Sequence, residues 1–453
     1  MATKVLSVNA SKVGTFTAVA QPDDILDRFD LQLDELSDDA QHILEAARQL
    51  RHSDVPVAFP TETVYGLGAD ATRSDAVKGI YKAKQRPSDN PLIVHISSLK
   101  QLRLLLQPAD SREENGPTVP RFVDPIPPIY RTLISRFWPG PLTIILPNPT
   151  NSVLAQEVTA GLDTFGARMP RHLLALALIE LAGVPIAAPS ANASTKPSPT
   201  AAEHVAYDLE GRIETILDGG PCDVGVESTV VDGLAQPPLI LRPGGITLKQ
   251  LRTVPDWENT QIGYQNVQEV GSQPRAPGMK YRHYSPKATV VLHEHGSQPP
   301  TISAMKAHAK VARRVGIIRT RRWCVQADTD TSPIFCTTSR IVENGLMNGK
   351  VIKPRSQGFA GLVETLESTP EPSKVIERHT IVHVNLQLLD IAIGPDIPSV
   401  ARGIFASLRA LDEEDVDVIF VEGLDDEGDG TAAAIMNRLR KAAEVHVDSQ
   451  SQI

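Results

Sequence analysis

The chain has 453 residues, 41% hydrophobic and 22% charged, with a formal net charge of −9. That length exceeds the roughly 250–300 residues at which a single core stops growing, so at least two domains are expected. No apolar run approaches the ~20 residues that cross a bilayer, the acidic balance excludes a whole-surface nucleic-acid binder, and Cys222, Cys324 and Cys336, without a Cys-x-x-Cys pair, fit neither a disulfide framework nor structural zinc.

Up to Ala20 the chain carries Lys4 and Lys12 among serines and threonines, but neither an arginine nor a clear apolar face. It is read as part of a loosely packed N-terminal extension, residues 1–37, in preference to a cleaved mitochondrial presequence. From residue 38 to 255, helical periodicity alternates with strand-like runs at residues 55–59, 142–146 and 164–168, the pattern of a mixed α/β domain. Val77, Ile80 and Tyr81 share a helix face that ends near Lys84, because Arg86 precedes Pro87 and is pushed out of helical geometry. Residues 108–128 hold six prolines among charges and are assigned as a surface insertion. Thr200 with Glu203, and Thr247 with Gln250, have capping-box spacing and mark helix starts. Periodicity fades over residues 256–286, the expected interdomain linker. Beyond it, strand-like runs at residues 288–292, 315–318, 381–384 and 416–421 predict a parallel, three-layer domain over residues 287–453. Its acidic run, residues 412–429, reads as a solvated helix–loop edge, and His293 with His295 as a plain surface strand rather than a metal site.

Two tripeptides point to a cationic hollow for phosphate and carboxylate groups. On a continuous helix Lys84 and Arg86 would point about 200° apart. In extended backbone they share a face, although two cations also simply favour a helix C-terminus. Ser190-Ala191-Asn192 leaves a buried run at residues 184–189 and places two polar side chains on one face, able to serve one anionic ligand or to close an ordinary turn. Arg168 sits in an apolar strand, where a buried guanidinium needs either a ligand anion or a carboxylate partner. Arg242 ends a strand before Pro243-Gly244-Gly245, whose glycines permit close backbone approach. Neither standard glycine-rich nucleotide loop occurs, so side chains would have to hold a nucleotide, and no Ser-His-Asp arrangement can be placed.

The runs at residues 59–71 and 84–96, Phe137-Trp138-Pro139-Gly140-Pro141-Leu142-Thr143, residues 185–192, Gly225-Val226-Glu227-Ser228-Thr229 and residues 241–245 resemble the YrdC/Sua5 family, the threonylcarbamoyl-AMP synthases. Residues 277–286 and Ala434-Ile435-Met436-Asn437-Arg438-Leu439 are similar to its two-domain Sua5 form. The resemblance implies an α/β protein: an open twisted mixed-sheet catalytic domain with a concave positive face, plus a smaller Rossmann-like parallel α/β domain. It implies a nucleotidyltransferase joining L-threonine, bicarbonate and ATP into threonylcarbamoyl-adenylate and pyrophosphate, for t6A formation in tRNAs reading codons that begin with A.

By matching positions, the resemblance implies Lys84, Arg86, Ser190 and Asn192 as the catalytic, anion-binding set. Arg86, Asn90, Thr164, Ser190, Ser198, Arg242 and Tyr284 would contact ATP, and Thr63, His95, Arg168, Ala188 and Ser228 would hold threonine. Mg²⁺ would arrive with ATP, with no metal site of the protein's own. Tyr284 lies outside the first domain, so its role implies that the linker folds back over the cleft. The scattered cysteines point to a reducing, intracellular compartment, read as cytoplasmic with room for a mitochondrial form, and the net acidity confines any tRNA or double-stranded RNA contact to a local basic patch. The resemblance further implies a downstream t6A transferase complex as partner. The insertion at residues 108–128 and the acidic loop at residues 425–430 are longer than the family leads one to expect. An RNA-binding module without synthase activity is the main alternative, and 4% aromatic content with net acidity weighs against it. Related carbamoyl-transfer maturation proteins carry Cys-x-x-Cys zinc modules that three scattered cysteines cannot supply.

Overall fold

Helix Asp38–His52 buries Ile43, Ala46, Ala47 and Leu50, three and four residues apart, so that one stripe faces inward. It packs beside Leu173–Ala182, a run of leucines and alanines buried nearly all round because protein lies on every side of it. The computed structural model describes residues 2–20, 26–108, 124–264, 283–309, 313–327, 333–337, 376–381, 385–394, 396–427 and 430–448.

Among these, the first sheet has eleven strands in the spatial order Lys4–Ser7, Thr215–Asp218, Val57–Phe59, Gly66–Asp70, Ile186–Ala187, Ile93–His95, Thr164–Arg168, Leu142–Pro147, Thr229–Asp232, Leu239–Arg242 and Gln261–Ile262. Parallel and antiparallel pairs are mixed. Ile93–His95 runs parallel to Thr164–Arg168, which places His95 beside Arg168, and antiparallel to Ile186–Ala187. The second sheet runs Glu377–Ile381, Leu386–Ala392, Arg314–Arg319, Val418–Glu422, Thr289–His293 and Val445–Val447, parallel throughout except for the first pair. Helices Ile397–Glu413 and Gly430–Ala442 cover one face and Ile302–His308 contributes Met305 to the other, giving three layers. Both expected architectures, the open mixed sheet and the parallel α/β domain, are present.

The local expectations fare unevenly. Helix Ser74–Lys84 ends where the Arg86-Pro87 pair requires and buries Val77, Ile80 and Tyr81. The capping box of Thr247 and Gln250 is formed. That of Thr200 and Glu203 is not: the helix begins at Ala202 after an Ala201 cap, and the Thr200 N–H donates to His204 Nδ1 at 3.2 Å instead. The N-terminal extension is not loose, because Lys4–Ser7 adds a parallel edge strand beside Thr215–Asp218 and Val8, Val13 and Phe29 are buried. Four residues, Lys4-Val5-Leu6-Ser7, are too few to show an alternating strand pattern in sequence. Gln261–Ile262 carries the first sheet past Pro255 into the stretch assigned as linker.

The acidic run is not uniformly solvated. Glu422 is buried and accepts from the backbone N–H groups of Thr320, Arg321, Arg322 and Trp323 at 2.5–3.1 Å. Asp412 accepts from those of Lys287 and Ala288. His293 is likewise buried, between Trp323 and Phe420, since an interior strand of a parallel sheet has no solvent face. Residues 109–123 of the insertion, 265–282 of the linker, 382–384 of one expected strand and 428–429 of the acidic loop lie outside the described residues.

The two domains meet along an apolar seam in which Val64 and Val226 join Val400, Ala401, Ile404 and Phe405. At its centre Gly225 has φ +78°, and a Cβ there would sit 2.4 Å from the Ala401 carbonyl oxygen and the Arg402 Cα. Polar ties flank it: Arg409, on the second domain, donates to both oxygens of Asp208 and to the Pro197 carbonyl.

Candidate active site

Several connections of the first sheet and the entry to the second domain line one cavity, which receives Thr61, Thr63, Arg86, His95, Arg168, Ala188, Ser190, Asn192, Glu227, Ser228, Arg242, His283 and Tyr284. Gly244 makes one wall thin enough. A Cβ on it would lie 2.3–2.4 Å from the backbone of residues 227–229, so the loop after Arg242 rests directly on the loop bearing Glu227 and Ser228.

Arg168 has the carboxylate partner that its strand position calls for. Its Nη2 lies 2.7 Å from Glu62 Oε1, Nη1 donates to Thr63 Oγ1 at 2.9 Å and Nε to the Gly140 carbonyl at 3.2 Å. Burial opposes ionisation of Glu62, but Arg168 and Arg171 hold its pKa below the ordinary carboxylate value. The carboxylate partner fixes the guanidinium, and the residue lines the cavity. Burial and Arg168 push His95 down to about 3, so the imidazole is neutral at physiological pH.

Arg242 donates from Nε and Nη2 to the Ser228 carbonyl at 3.1 and 3.0 Å and from Nη2 to Ser228 Oγ at 3.0 Å. Ser228 Oγ in turn shares a hydrogen bond with Thr143 Oγ1 at 2.8 Å. Burial lowers Arg242 to about 10, offset by Glu227, and leaves it cationic near neutrality.

Lys84 and Arg86 do not share a face. Gln85 adopts the left-handed conformation, φ 53° and ψ 47°, and turns the two cations apart. Lys84 points inward, where Nζ donates to the carbonyls of Ser190 and Asn192 at 2.5 and 2.6 Å and to Asn192 Oδ1 at 3.3 Å. Burial, with help from Arg86, depresses its pKa and Asp208 opposes this, while the three acceptors match the three N–H groups of an ammonium. Lys84 therefore shapes the loop that carries Ser190 and does not itself line the cavity. Replacing it (Lys84→Met) leaves buried carbonyls unsatisfied and should cost about 2–4 kcal/mol, read from urea unfolding, as well as activity.

Arg86 does face the cavity. Its Nη2 approaches only the Asn90 carbonyl, at 3.5 Å, and its buried Nε has no hydrogen-bond partner among the described residues. Ser190 Oγ donates to Asn192 Oδ1 at 2.6 Å, and Asn192 Nδ2 donates to the carbonyls of Ala193 and Lys196. Asn192 thus closes a turn instead of joining Ser190 as a second donor to an anion, because an asparagine so close to chain carbonyls is captured locally.

Tyr284, at φ 67°, stacks on Phe405 with centroids 5.3 Å apart. Burial and Glu227 push its phenol up to about 12. This left-handed backbone in a bulky residue holds an aromatic ring at the cavity wall. Asn90 and Ser198 lie one layer out: the Asn90 carbonyl accepts from the Tyr81 hydroxyl at 3.1 Å, and Ser198 Oγ donates to Glu227 Oε1 at 2.6 Å. Thr164, half-buried at the start of its strand, does not reach the cavity wall. Glu62, Thr143 and Glu227 were given no role from sequence. The available signal was a carboxylate between small hydroxyl or apolar residues, as in Thr61-Glu62-Thr63 and Val226-Glu227-Ser228.

A family profile described as "Telomere recombination", of the Sua5, YciO and YrdC group, matches residues 49–244, and one described as "Threonylcarbamoyl-AMP synthase, C-terminal domain" matches residues 246–444. A threonylcarbamoyl-AMP synthase of Schizosaccharomyces pombe is 42% identical, with 90% of this chain and 89% of that protein covered. The chain belongs to the Sua5/YrdC family of threonylcarbamoyl-AMP synthases. A threonylcarbamoyl-AMP synthase of Bacillus subtilis is also 42% identical, over 90% of this chain and 95% of its own length. The crystal structure of Pyrococcus abyssi Sua5 complexed with L-threonine superposes with a TM-score of 0.65 at 33% identity, covering 98% of this chain and all of that one.

Proposed function

We propose that the cavity joins L-threonine, bicarbonate and ATP into L-threonylcarbamoyladenylate and releases pyrophosphate. The observation that carries this reading is the convergence of three guanidinium groups, Arg86, Arg168 and Arg242, on one hollow. Such a constellation suits a reaction in which mutual repulsion of anions is the main barrier, and positioning with electrostatic stabilisation the main remedy.

The threonine amine captures bicarbonate as a carbamate, with loss of water, and a carbamate oxygen attacks the α-phosphorus of ATP as pyrophosphate departs. Arg168, held by Glu62, takes the threonine carboxylate beside Thr63. Arg86 and Arg242 take phosphate oxygens, with Ser190 Oγ nearby. Neutral His95 can lie against the amino acid without adding a charge. Tyr284 closes one side and limits water.

Mg²⁺ enters with ATP as part of the substrate. The cavity's own carboxylate, Glu227, is already paired with Arg438 at 3.0 Å, so the metal's oxygen ligands are to be sought on the phosphates. We place the reaction in the cytoplasm, with the product passing to a t6A transferase complex.

The test is pyrophosphate release with threonine, bicarbonate and ATP omitted in turn. Each omission should reduce the signal to background. Salt-sensitive binding of tRNA or double-stranded RNA without threonine-dependent pyrophosphate release would favour the RNA-binding alternative.

A further inference from the structure

Glu227 stands in a hollow proposed to take a triphosphate, and a carboxylate there opposes the ligand. The guanidinium in ion-pair contact with Glu227 comes from the other domain. Arg438, on helix Gly430–Ala442, is 1% exposed; its Nε donates to Glu227 Oε2 at 3.0 Å and its Nη1 to the Pro243 carbonyl at 2.6 Å. The Tyr284 ring lies against the same guanidinium, 6.0 Å from centroid to Cζ. The second contact secures the residue that follows Arg242, so one side chain of the second domain grips both the loop of Glu227 and Ser228 and the loop that leaves Arg242.

We propose that Arg438 is a positioning residue of the nucleotide site, which cancels the charge of Glu227 so that ATP phosphates can occupy the cavity. The second domain is then an electrostatic component of the active site and not only its support. This inference rests on the ATP reading above. Burial opposes ionisation of Glu227, yet Arg438 and Arg242 hold it down to about 2, consistent with a fixed anion that always requires its partner.

The test uses the full-length enzyme and compares Arg438→Met, Glu227→Gln and the double variant. Arg440→Met serves as the control, from the same helix, where Arg440 pairs with Glu294 and Asp426 away from the cavity. Arg438→Met should raise KM for ATP by about 100-fold, with KM for threonine changed much less, because it leaves an uncompensated anion beside the phosphates. Removing both charges should restore KM for ATP to within about 5-fold of Glu227→Gln alone. Arg440→Met should leave both KM values near wild type.

An unchanged KM for ATP in Arg438→Met overturns the proposal. So does a double variant that stays as impaired as Arg438→Met, the result expected if Arg438 only docks the domains. If Arg438→Met does not fold, the comparison of the double variant with Glu227→Gln still decides, since neither carries an unpaired carboxylate at that position. Absence of threonine-dependent pyrophosphate release in the wild type would instead overturn the ATP reading itself.

Discussion

Charge reversal at Arg86 (Arg86→Glu) should abolish pyrophosphate release, lowering kcat/KM on the order of 10⁴-fold. The size follows from what Arg86 does not do. Arg168 and Lys84 are tied into the structure by short hydrogen bonds, whereas the guanidinium of Arg86 makes only a 3.5 Å approach to the Asn90 carbonyl and keeps a buried Nε without a partner among the described residues. Burial lowers its pKa, opposed by Tyr81 and Tyr284, so an anion arriving in the cavity meets a cation short of protein contacts. Reversal both removes that attraction and adds a repulsion close to the reacting phosphate. Because few structural bonds are lost, the melting temperature should fall by only a few degrees. Activity above about a tenth of wild type would show that Arg86 faces no phosphate.

The second large effect separates structure from binding within one pair. Arg168→Met should raise KM for threonine by at least about 100-fold, through loss of a bidentate partner for the carboxylate. It should also destabilise the fold by about 3–5 kcal/mol, because Glu62, 1% exposed, is left as an unpaired buried anion. Adding Glu62→Gln should recover most of the lost stability and none of the threonine affinity. Urea unfolding reads the first quantity and steady-state kinetics the second. Were the double variant to regain threonine binding, Arg168 would be a structural ion-pair partner only.

What was legible in the sequence follows from the range of the forces involved. The end of helix Ser74–Lys84 could be read because a proline constrains its neighbour locally, and the capping box at Thr247 because its partners lie three residues apart. Arg168 could be recognised as needing a partner, since burial of a charge is costly whatever the fold. That the partner is Glu62, more than a hundred positions earlier, depends on the packing of distant segments, and periodicity carries no trace of it.

The errors have the same origin. Lys84 and Arg86 were joined on the assumption of extended backbone, but Gln85 reverses handedness at that residue. Ser190 and Asn192 do lie together, yet their hydrogen bonds run to one another and to the following turn. Glu422 looked solvated in an acidic run because four backbone donors that surround it come from residues a hundred positions away. The N-terminal edge strand escapes a sequence reading because four residues carry too little alternation to stand out, and its partner, Thr215–Asp218, lies about two hundred positions away.

Gly225 sets one final condition on this architecture. Its peptide rests on the peptides of residues 401 and 402 with no room for even a methyl group between them. Main chain has a single thickness, so no rearrangement of neighbouring side chains can open this gap. A side chain at position 225 would therefore have to wedge the two domains apart along their whole seam.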